Sequence, residues 1–303
     1  MPPVPTRFVV PIAIGLLCLV WSSTWYGIRI CLLEQPPLTS AAVRFLVAGL
    51  AMAAVAPRLR AREDAPAPPA WLWLTAGALS FAGSYGILYH AEQFVPSGIA
   101  AVLWGIFPLL MAVSGLLFLG ERLGLRKLLG MLIAFGGIVT VFGGGLGGID
   151  AGNVHYALVL LLSPVVSAVG TTLIKKFGSG TSSVVLNRNG MLVGSVWLGI
   201  AAFVLEDPLA ATWSLRGVLA LTYLALFGTA LTFGIYFWLL RTTPASRLAL
   251  ITYVTPVLAM ALGAAVGDGD MDKNAWAGTA AVVFGIGLVV SKGRAANAPA
   301  PAR

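Results

Sequence analysis

Two stretches of this chain repeat each other without a gap: PSGIAAVLWGIFPLLMAVSGLLFLGERLGLRKLLGMLIAFGGI at residues 96–138 and PASRLALITYVTPVLAMALGAAVGDGDMDKNAWAGTAAVVFGI at residues 244–286. Prolines and glycines recur at an offset of 148 residues, as at Pro108 and Pro256 or at Gly137 and Gly285. Both stretches are long and apolar, so they predict a duplicated membrane unit. If each copy has an odd number of spans, the second copy is inverted in the bilayer. Inverted repeats are typical of alternating-access transporters, in which the substrate site lies between the two halves.

The composition excludes an ordinary soluble globular protein. Of the 303 residues, 58% are hydrophobic and only 10% are charged, whereas a soluble domain is about one quarter charged. Apolar segments of roughly 20 residues, enough to cross a hydrocarbon core of about 30 Å, recur along the chain. We therefore predict an all-α integral membrane protein, a bundle of ten transmembrane helices around a central cavity. The predicted spans are residues 8–28, 39–57, 71–90, 96–119, 126–144, 154–174, 184–204, 215–240, 247–266 and 274–291.

Ten spans divide into two sets of five, and an odd number of spans per copy turns the second copy over in the bilayer. We predict one membrane domain, made of a first five-helix repeat at residues 1–148 and a second, inverted five-helix repeat at residues 149–292. The segment 293–303 is rich in Ala and Pro and is predicted to be a disordered cytoplasmic tail.

The basic residues give the predicted orientation, because Lys and Arg collect in cytoplasmic loops. With the N-terminus inside, 14 of the 19 basic residues fall on the cytoplasmic side and three fall outside. Both termini are therefore predicted to be cytoplasmic. The formal net charge of +8 is a signal of topology and of contact with anionic lipid headgroups, so no nucleic-acid partner is expected. The inner set is Arg7, Arg58, Arg60, Arg62, Arg122, Arg126, Lys127, Lys175, Lys176, Arg241, Arg247, Lys292, Arg294 and Arg303.

Several motifs point to a known architecture. They are Trp21-Ser22-Ser23-Thr24-Trp25 near the end of the first span, Arg44-Phe45 in the second, the block from Pro108 to Gly120-Glu121-Arg122 that closes the fourth, and Pro256 in the ninth. On these residues the chain resembles the ten-span EamA-type branch of the drug/metabolite transporter superfamily. The resemblance implies an inner-membrane transporter in which spans 5 and 10 serve as scaffold. The second copy departs from the commonest pattern, because Gly269 stands where a Glu is usual. The aromatic-rich first, third and fourth spans look most like those of bacterial aromatic amino-acid exporters.

Arg44 and Arg188 are the only basic residues placed well inside predicted spans, in the second and seventh helices. An arginine at membrane depth costs on the order of 2.5–3.5 kcal/mol on insertion scales, so it normally faces a cavity or a partner. Either guanidinium can hold a substrate carboxylate through two parallel hydrogen bonds. Both residues also lie near a helix end, where snorkelling or a bond to a nearby carbonyl would satisfy them. The sequence leaves the two roles open.

Aromatic and small polar side chains cluster in candidate cavity helices of both halves. An aromatic solute with polar substituents needs stacking walls and a few hydrogen-bonding groups, which these residues supply. Each residue alone also fits helix packing or anchoring at the membrane interface. Trp104, one turn before Pro108, is the first choice for stacking, and Tyr85 and Tyr89 share one helical face. Together with Arg44 and Arg188, the predicted substrate-binding residues are Trp21, Ser22, Trp25, Ser80, Tyr85, Tyr89, Trp104, Ser163, Ser167, Asn187, Tyr236 and Tyr253.

Coupling to protons has few candidates, because no Asp or Glu lies in the middle of a predicted span. His90, at the outer end of the third span, is the coupling candidate, and a solvated residue at the mouth is the alternative role. Pro108 and Pro256 interrupt the helical hydrogen-bond ladder at matching depth in the two copies. They are predicted to be gating hinges, with static kinks as the alternative.

These features favour an inner-membrane transporter that exports small organic solutes, foremost aromatic or neutral amino acids, by alternating access. The alternatives are export of other metabolites or of cationic drugs of the quaternary ammonium type, and a channel-like facilitator. The expected partners are the solute and the lipid bilayer, with the chain a monomer or, alternatively, a dimer. An intramembrane enzyme needs paired carboxylates, a Ser–His pair or metal ligands at matched depth. The sequence offers no convincing set, so no catalytic residue, metal or cofactor is expected.

Overall fold

The computed structural model describes residues 6–63, 65–95, 100, 103–142, 154–255, 257–258 and 273–290, and every regular element in these ranges is helical. The helices are α1 Thr6–Leu32, α2 Pro37–Arg60, α3 Ala70–Ala76 with Gly77–Gly83 and Ser84–Glu92, α4 Phe107–Phe118, α5 Leu125–Phe142, α6 Val154–Phe177, α7 Ser183–Leu205, α8 Leu215–Ala225 with Leu226–Leu231 and Thr232–Thr242, α9 Ala245–Leu248 and α10 Lys273–Val290. The predicted tail at 293–303, the boundary at 148/149 and Pro256 lie outside the described residues.

The outer surface of the bundle is apolar. Within the described ranges, five helices are long and apolar enough to cross a membrane: Val9–Leu32, Pro37–Arg60, Val154–Phe177, Ser183–Leu205 and Leu215–Thr242. Large apolar side chains point away from the protein, such as Leu158 and Phe203, which is 78% exposed. Exposed apolar surface on this scale marks contact with lipid. The chain is an all-α membrane protein, as the composition predicts.

Two spans that the sequence predicts as continuous α-helices contain a π-helical segment at their centre. These segments, Gly77–Gly83 in α3 and Leu226–Leu231 in α8, begin 149 residues apart and so occupy matching places in the two halves. A π-helical turn displaces the usual backbone hydrogen bonds. In α8 the Thr229 hydroxyl donates to the Leu224 carbonyl, five residues earlier, at 2.8 Å. This bond gives a partner to the carbonyl of Leu224, two residues before the π-helical segment.

Helices α2 and α7 run antiparallel and cap each other's N-termini. Glu206, the residue after α7, accepts hydrogen bonds from the backbone N–H groups of Leu38 (2.8 Å) and Thr39 (3.1 Å) at the start of α2. Glu63, just after α2, accepts a hydrogen bond from the Ser183 hydroxyl at the start of α7. A carboxylate in this position satisfies free N–H groups and faces the positive end of the helix dipole.

Two further carboxylates hold helix starts in the second half. Glu34, in the α1–α2 connection, accepts hydrogen bonds from the Ser214 hydroxyl at the start of α8. Glu121, in the α4–α5 connection, accepts the backbone N–H of Ala245 at 2.7 Å, at the start of α9. Four glutamates that the sequence places outside the spans therefore tie one half of the chain to the other.

Helices α5 and α10 also run antiparallel, in contact through glycines. A Cβ atom on Gly130 would lie 2.6 Å from the carbonyl oxygen of Gly285, and one on Gly137 would lie 2.6 Å from that of Gly278. Only glycine permits so close an approach of two backbones. The repeat matches Gly130 with Gly278 and Gly137 with Gly285, so matched residues contact reciprocally, the pattern that a two-fold axis produces.

The apolar interior has two main parts. The larger core joins α1, α2, α3, α4, α6, α7, α8 and α9 and includes Phe45, Phe81 and Phe237. A second core, which includes Met131 of α5 and Val282 of α10, joins these two helices to the chain after α9. This arrangement leaves α5 and α10 beside the larger core, which contains a cavity.

Candidate functional site

A cavity of about 110 Å³ lies inside the larger core, among helices from both halves of the chain. An apolar cavity of roughly 150 Å³ accepts benzene, so the cavity in this conformation has the size of a small ring. Its described lining residues are Trp21, Thr24, Trp25, Ile28, Arg44, Ser80, Tyr85, Leu88, Trp104, Phe107, Ser167, Thr171, Phe233, Tyr236, Phe237, Leu248, Ala249, Thr252 and Thr255.

Arg44 is the charged residue of this lining. Its side chain is only 1% exposed, so the snorkelling that the sequence allows is not what the structure has. Its guanidinium donates to the Thr229 hydroxyl at 2.7 Å, to the Tyr89 hydroxyl at 2.9 Å and to the Gly228 carbonyl at 3.3 Å. It also lies over the ring of Tyr85, 5.1 Å from the ring centroid. The bond to the Gly228 carbonyl is the structural role that the sequence allows, and Arg44 also lines the cavity.

Aromatic rings form most of the walls. Trp21 packs against Phe233 and Tyr236 with centroid separations of 5.7 and 5.6 Å, and its indole N–H donates to the Thr232 hydroxyl at 3.0 Å. Trp21 on α1 and these residues on α8 therefore hold each other's orientation. Rings at this separation and tilt attract one another beyond the area they bury.

A second aromatic group lies on the first half of the chain. Tyr85 meets Phe45 edge to face at 4.9 Å. Trp104, just before α4, and Phe107, at the start of α4, have ring centroids 5.5 Å apart. The rings of both groups pack against one another and together form most of the aromatic lining.

Three buried polar atoms of the lining have no hydrogen-bond partner among the described residues. They are the Ser80 hydroxyl oxygen, the Trp104 indole nitrogen and the Tyr236 hydroxyl oxygen. Tyr236 interacts with the nearby Thr171 side chain without reaching hydrogen-bond geometry. A buried polar group without a partner costs roughly 1–3 kcal/mol, and native proteins contain few of them. Three in one small cavity make it the candidate site for a polar ligand.

Eight of the fourteen predicted substrate-binding residues line this cavity. They come from α1, α2, α3, α6, α8 and the approach to α4. The eight are Trp21, Trp25, Arg44, Ser80, Tyr85, Trp104, Ser167 and Tyr236. The structure therefore brings more than half of the predicted residues together around one cavity.

Four other predicted residues lie outside the described lining and form hydrogen bonds in or between the surrounding helices. Tyr89 lies behind Arg44 and accepts its hydrogen bond. The Ser22 hydroxyl donates to the Leu19 carbonyl of its own helix. Ser163 joins α6 to α3 by donating to the Ser84 carbonyl at 2.7 Å. Asn187 joins α7 to α8, because its amide donates to the Phe233 carbonyl at 3.1 Å.

The remaining predicted residues lie elsewhere. Arg188 is half-buried and donates to the side-chain oxygen of its neighbour Asn189 at 2.9 Å. Tyr253 is fully buried in the second core. His90, the coupling candidate, is exposed and packs near the ring of Tyr156. None of the three is part of the described cavity lining.

Pro108 occupies the first turn of α4, after a turn at residues 105–106 that separates α4 from the helical residues 103–104. A proline in the first helical turn lacks an N–H that would be free in any case. The interruption at Gly105 therefore precedes the proline, and Trp104 and Phe107 line the cavity on its two sides. Discontinuous helices of this kind border the substrate sites of many transporters.

The lining also contains residues that the sequence prediction missed. Phe233 and Phe237 on α8 are apolar residues in an apolar span, with no signal that distinguishes an inward face from a lipid-facing one. Thr252 and Thr255 follow α9, and their polar side chains in an apolar run are the one signal that could have indicated them. Thr229, which holds Arg44, is identifiable only from the fold.

Comparison with known proteins adds the family. The model of the EamA-like transporter family matches the chain twice, over residues 10–143 and 155–291. YedA of Escherichia coli K12, described as an uncharacterized inner membrane transporter, is 34% identical over 281 residues, which cover 91% of this chain and 89% of that protein. YvbV of Bacillus subtilis, described as an uncharacterized transporter, is 29% identical over 291 residues, covering 95% and 93% of the two chains.

A solved crystal structure shares the fold. It is 20% identical in sequence and superposes with a TM-score of 0.77, covering 92% of this chain and 95% of the other. The two family matches together cover most of the sequence, and the relatives are transporters of the membrane rather than enzymes. On the strength of these matches, the chain belongs to the EamA-like transporter family.

Proposed function

We propose that this transporter exports small organic solutes, foremost aromatic or neutral amino acids, through the cavity around Arg44. The observation that carries the proposal is the lining itself, in which one buried cation and three unpartnered polar atoms stand among aromatic rings. An aromatic amino acid has the matching parts, a ring to stack and polar ends to bind.

Arg44 is suited to the carboxylate of such a solute. A guanidinium has five N–H groups, and three hydrogen bonds join it to described residues. Two N–H groups remain for a carboxylate, which accepts them as a pair. The amino group of the solute has the faces of Trp21, Trp25 and Trp104 as its partners, through cation–π contact.

The same cavity weighs against the main alternative substrate. Quaternary ammonium drugs also bind to aromatic cages, but the described lining contains Arg44 and no carboxylate. A fixed positive charge at close range repels a cationic solute, and the low polarity of the surroundings increases that repulsion. Anionic or zwitterionic solutes are therefore favoured over cationic drugs.

The size and position of the cavity support alternating access as the mechanism. At about 110 Å³ it is smaller than an aromatic amino acid requires, so the helices around it must separate to admit the solute. Antiparallel packing of α2 with α7 and of α5 with α10, together with two successive family matches, supports an inverted repeat of five helices each. Such a repeat opens its site to one side at a time.

The test is transport by the purified full chain in proteoliposomes. Labelled phenylalanine, tryptophan, leucine, a quaternary ammonium compound and a nucleoside are compared, with and without a pH gradient. Saturable amino-acid flux that is stimulated by unlabelled amino acid on the opposite side is expected. Flux of the quaternary ammonium compound alone would overturn the substrate assignment, and unsaturable flux proportional to voltage would indicate a channel-like facilitator.

Trp104→Ala tests the site itself. Loss of the ring is expected to lower aromatic amino-acid flux about tenfold, the equivalent of roughly 1.4 kcal/mol, with normal membrane insertion. Trp276→Ala, which removes an exposed indole of α10, is the matched control and is expected to transport normally. Unchanged flux in Trp104→Ala would remove Trp104 from the substrate site.

A further inference from the structure

Two lateral grooves lie on the outside of the bundle, away from the central cavity. The α3–α7 groove has a volume of about 1260 Å³ and runs between α3 and α7 up to the α1–α2 connection. The α2–α8 groove has a volume of about 540 Å³ and runs between α2 and α8 down to the start of α7. Both volumes exceed the roughly 300 Å³ at which ligand pockets begin.

The two grooves are built from matching residues. Six residues of α3 line the first groove: Ala78, Ala82, Gly83, Gly86, Ile87 and His90. The residues 148 positions later line the second groove: Leu226, Ala230, Leu231, Gly234, Ile235 and Trp238. The opposite walls correspond as well, because Leu198, Ala201 and Leu205 on α7 lie 146 positions after Met52, Val55 and Leu59 on α2. The grooves are therefore one feature that the chain makes twice.

Their position and length suit a lipid chain in one leaflet. Trp197, Leu205 and Trp238 line the grooves and are 54%, 73% and 41% exposed, so the walls open toward the bilayer. From Ala78 to His90 a helix rises roughly 18 Å, and half of a hydrocarbon core is about 15 Å thick.

Each groove is polar at one end only. The α3–α7 groove ends at Glu206, and the α2–α8 groove ends at Arg62 and Glu63. Glu206 and Glu63 lie beyond opposite ends of α7, whose 23 residues span roughly 34 Å. The polar ends therefore lie at opposite membrane surfaces, where headgroups are.

The polar end of the α3–α7 groove has the chemistry of a cation site. Its lining contains the carboxylates of Glu34 and Glu206 and no Lys or Arg. The Gln35 side chain, also in the lining, is only 4% exposed, and neither its amide oxygen nor its amide nitrogen has a hydrogen-bond partner among the described residues. An ammonium group with N–H donors pairs with the carboxylates and the amide oxygen, while the amide N–H groups suit a phosphate oxygen.

We propose that each groove binds one phospholipid, one in each leaflet, and that the α3–α7 groove selects an aminophospholipid such as phosphatidylethanolamine. The acyl chain fills the apolar length of the groove, and the headgroup ammonium meets Glu34, Glu206 and Gln35. In the α2–α8 groove, Arg62 holds the phosphate. The sites are independent of the solute that the central cavity transports.

Native mass spectrometry of the full chain, delipidated and then titrated with palmitoyl-oleoyl phosphatidylethanolamine or phosphatidylcholine, tests this proposal. Two retained phospholipids are expected, with the ethanolamine lipid bound about tenfold more tightly than the choline lipid at the α3–α7 groove, because choline has no N–H donor. Equal binding of the two lipids would overturn the headgroup assignment.

Groove-filling variants test the positions. Ala201→Trp blocks the α3–α7 groove and Val55→Trp, at the matching position, blocks the α2–α8 groove. Each is expected to retain one lipid fewer, and Ala201→Trp is expected to lose the headgroup preference.

Ile200→Trp places the same ring on the exposed face of α7, outside both lining sets, and is expected to retain both lipids. Equal lipid loss in Ile200→Trp would overturn the assignment of the sites. Gln35→Leu, which leaves the groove volume nearly unchanged, tests the headgroup preference should Ala201→Trp fail to fold.

Discussion

Arg44 brings a full positive charge into a wall that otherwise consists of rings, hydroxyls and aliphatic side chains. Among the described residues no carboxylate lies within ion-pair distance of Arg44, and the buried Glu92 carboxylate interacts with it only over a longer distance. Three neutral oxygens and the Tyr85 ring offset part of the burial cost. A buried charge kept at that cost beside a cavity supports the proposal that the cavity binds an anionic group.

Replacing Arg44 tests that explanation at the scale of one residue. Arg44→Gln is expected to lower amino-acid flux in proteoliposomes at least about tenfold, because it removes a charge-assisted pair of hydrogen bonds. Arg188→Gln is the matched control, since Arg188 is the other arginine within a predicted span and bonds only to Asn189 in the described structure. It is expected to transport normally. Equal losses in the two variants, with both correctly inserted, would speak against a binding role for Arg44.

The helices of the two halves are joined at their ends, because carboxylates from one half cap the N-termini of helices in the other. Glu206→Ala removes the acceptor for the first N–H groups of α2, and the expected loss of stability is about 1 kcal/mol. Thermal unfolding in detergent measures it. Asp207→Ala is the control, because its exposed carboxylate accepts only the Leu209 N–H of a short turn. A melting temperature for Glu206→Ala that equals that of Asp207→Ala would show that the cap contributes nothing.

Adjacent glycines of α5 give a second test at this scale. A Cβ atom at Gly137 would collide with α10, whereas one at Gly136 would meet nothing within 4 Å. Gly137→Ala is therefore expected to lower the melting temperature, because two backbones must move apart. Gly136→Ala is expected to leave it unchanged or raise it, since alanine is the better helix former by about 1 kcal/mol. The opposite order would contradict the close α5–α10 contact.

Part of the fold and of the cavity is predictable from the sequence, and part is not. Hydropathy and the repeat predict most helices of the described ranges to within a few residues, because membrane spans must be long and apolar. They do not predict the turns at residues 105–106 and 249–250, which interrupt the fourth and ninth predicted spans. The π-helical segments and the reciprocal caps of Glu63 and Glu206 are not predictable in this way, since they depend on partners far away in the chain. For the cavity, polar and aromatic residues of α1 and α3 stand out in sequence. Phe233 and Phe237 do not, because lipid-facing and cavity-facing phenylalanines have the same surroundings in sequence.

The antiparallel arrangement of α2 and α7 determines on which membrane surfaces their C-terminal ends lie. Ala61, just past the end of α2, and Asp207, just past the end of α7, lie 146 positions apart and are both exposed. Their helices run in opposite directions. Matching positions in the two copies must therefore face opposite sides of the membrane if both helices span it.

Single cysteines at these two positions test the inversion and the orientation together. In intact cells a membrane-impermeant maleimide is expected to label Asp207→Cys and to label Ala61→Cys only after permeabilisation, because the basic residues Arg58, Arg60 and Arg62 predict a cytoplasmic location for Ala61. The parent chain is the control, since its Cys18 and Cys31 are both buried. Labelling of Ala61→Cys alone would reverse the orientation and keep the inversion. Labelling of both positions from the same side would exclude an inverted repeat, because no antiparallel pair of spanning helices can place both C-terminal ends at one surface.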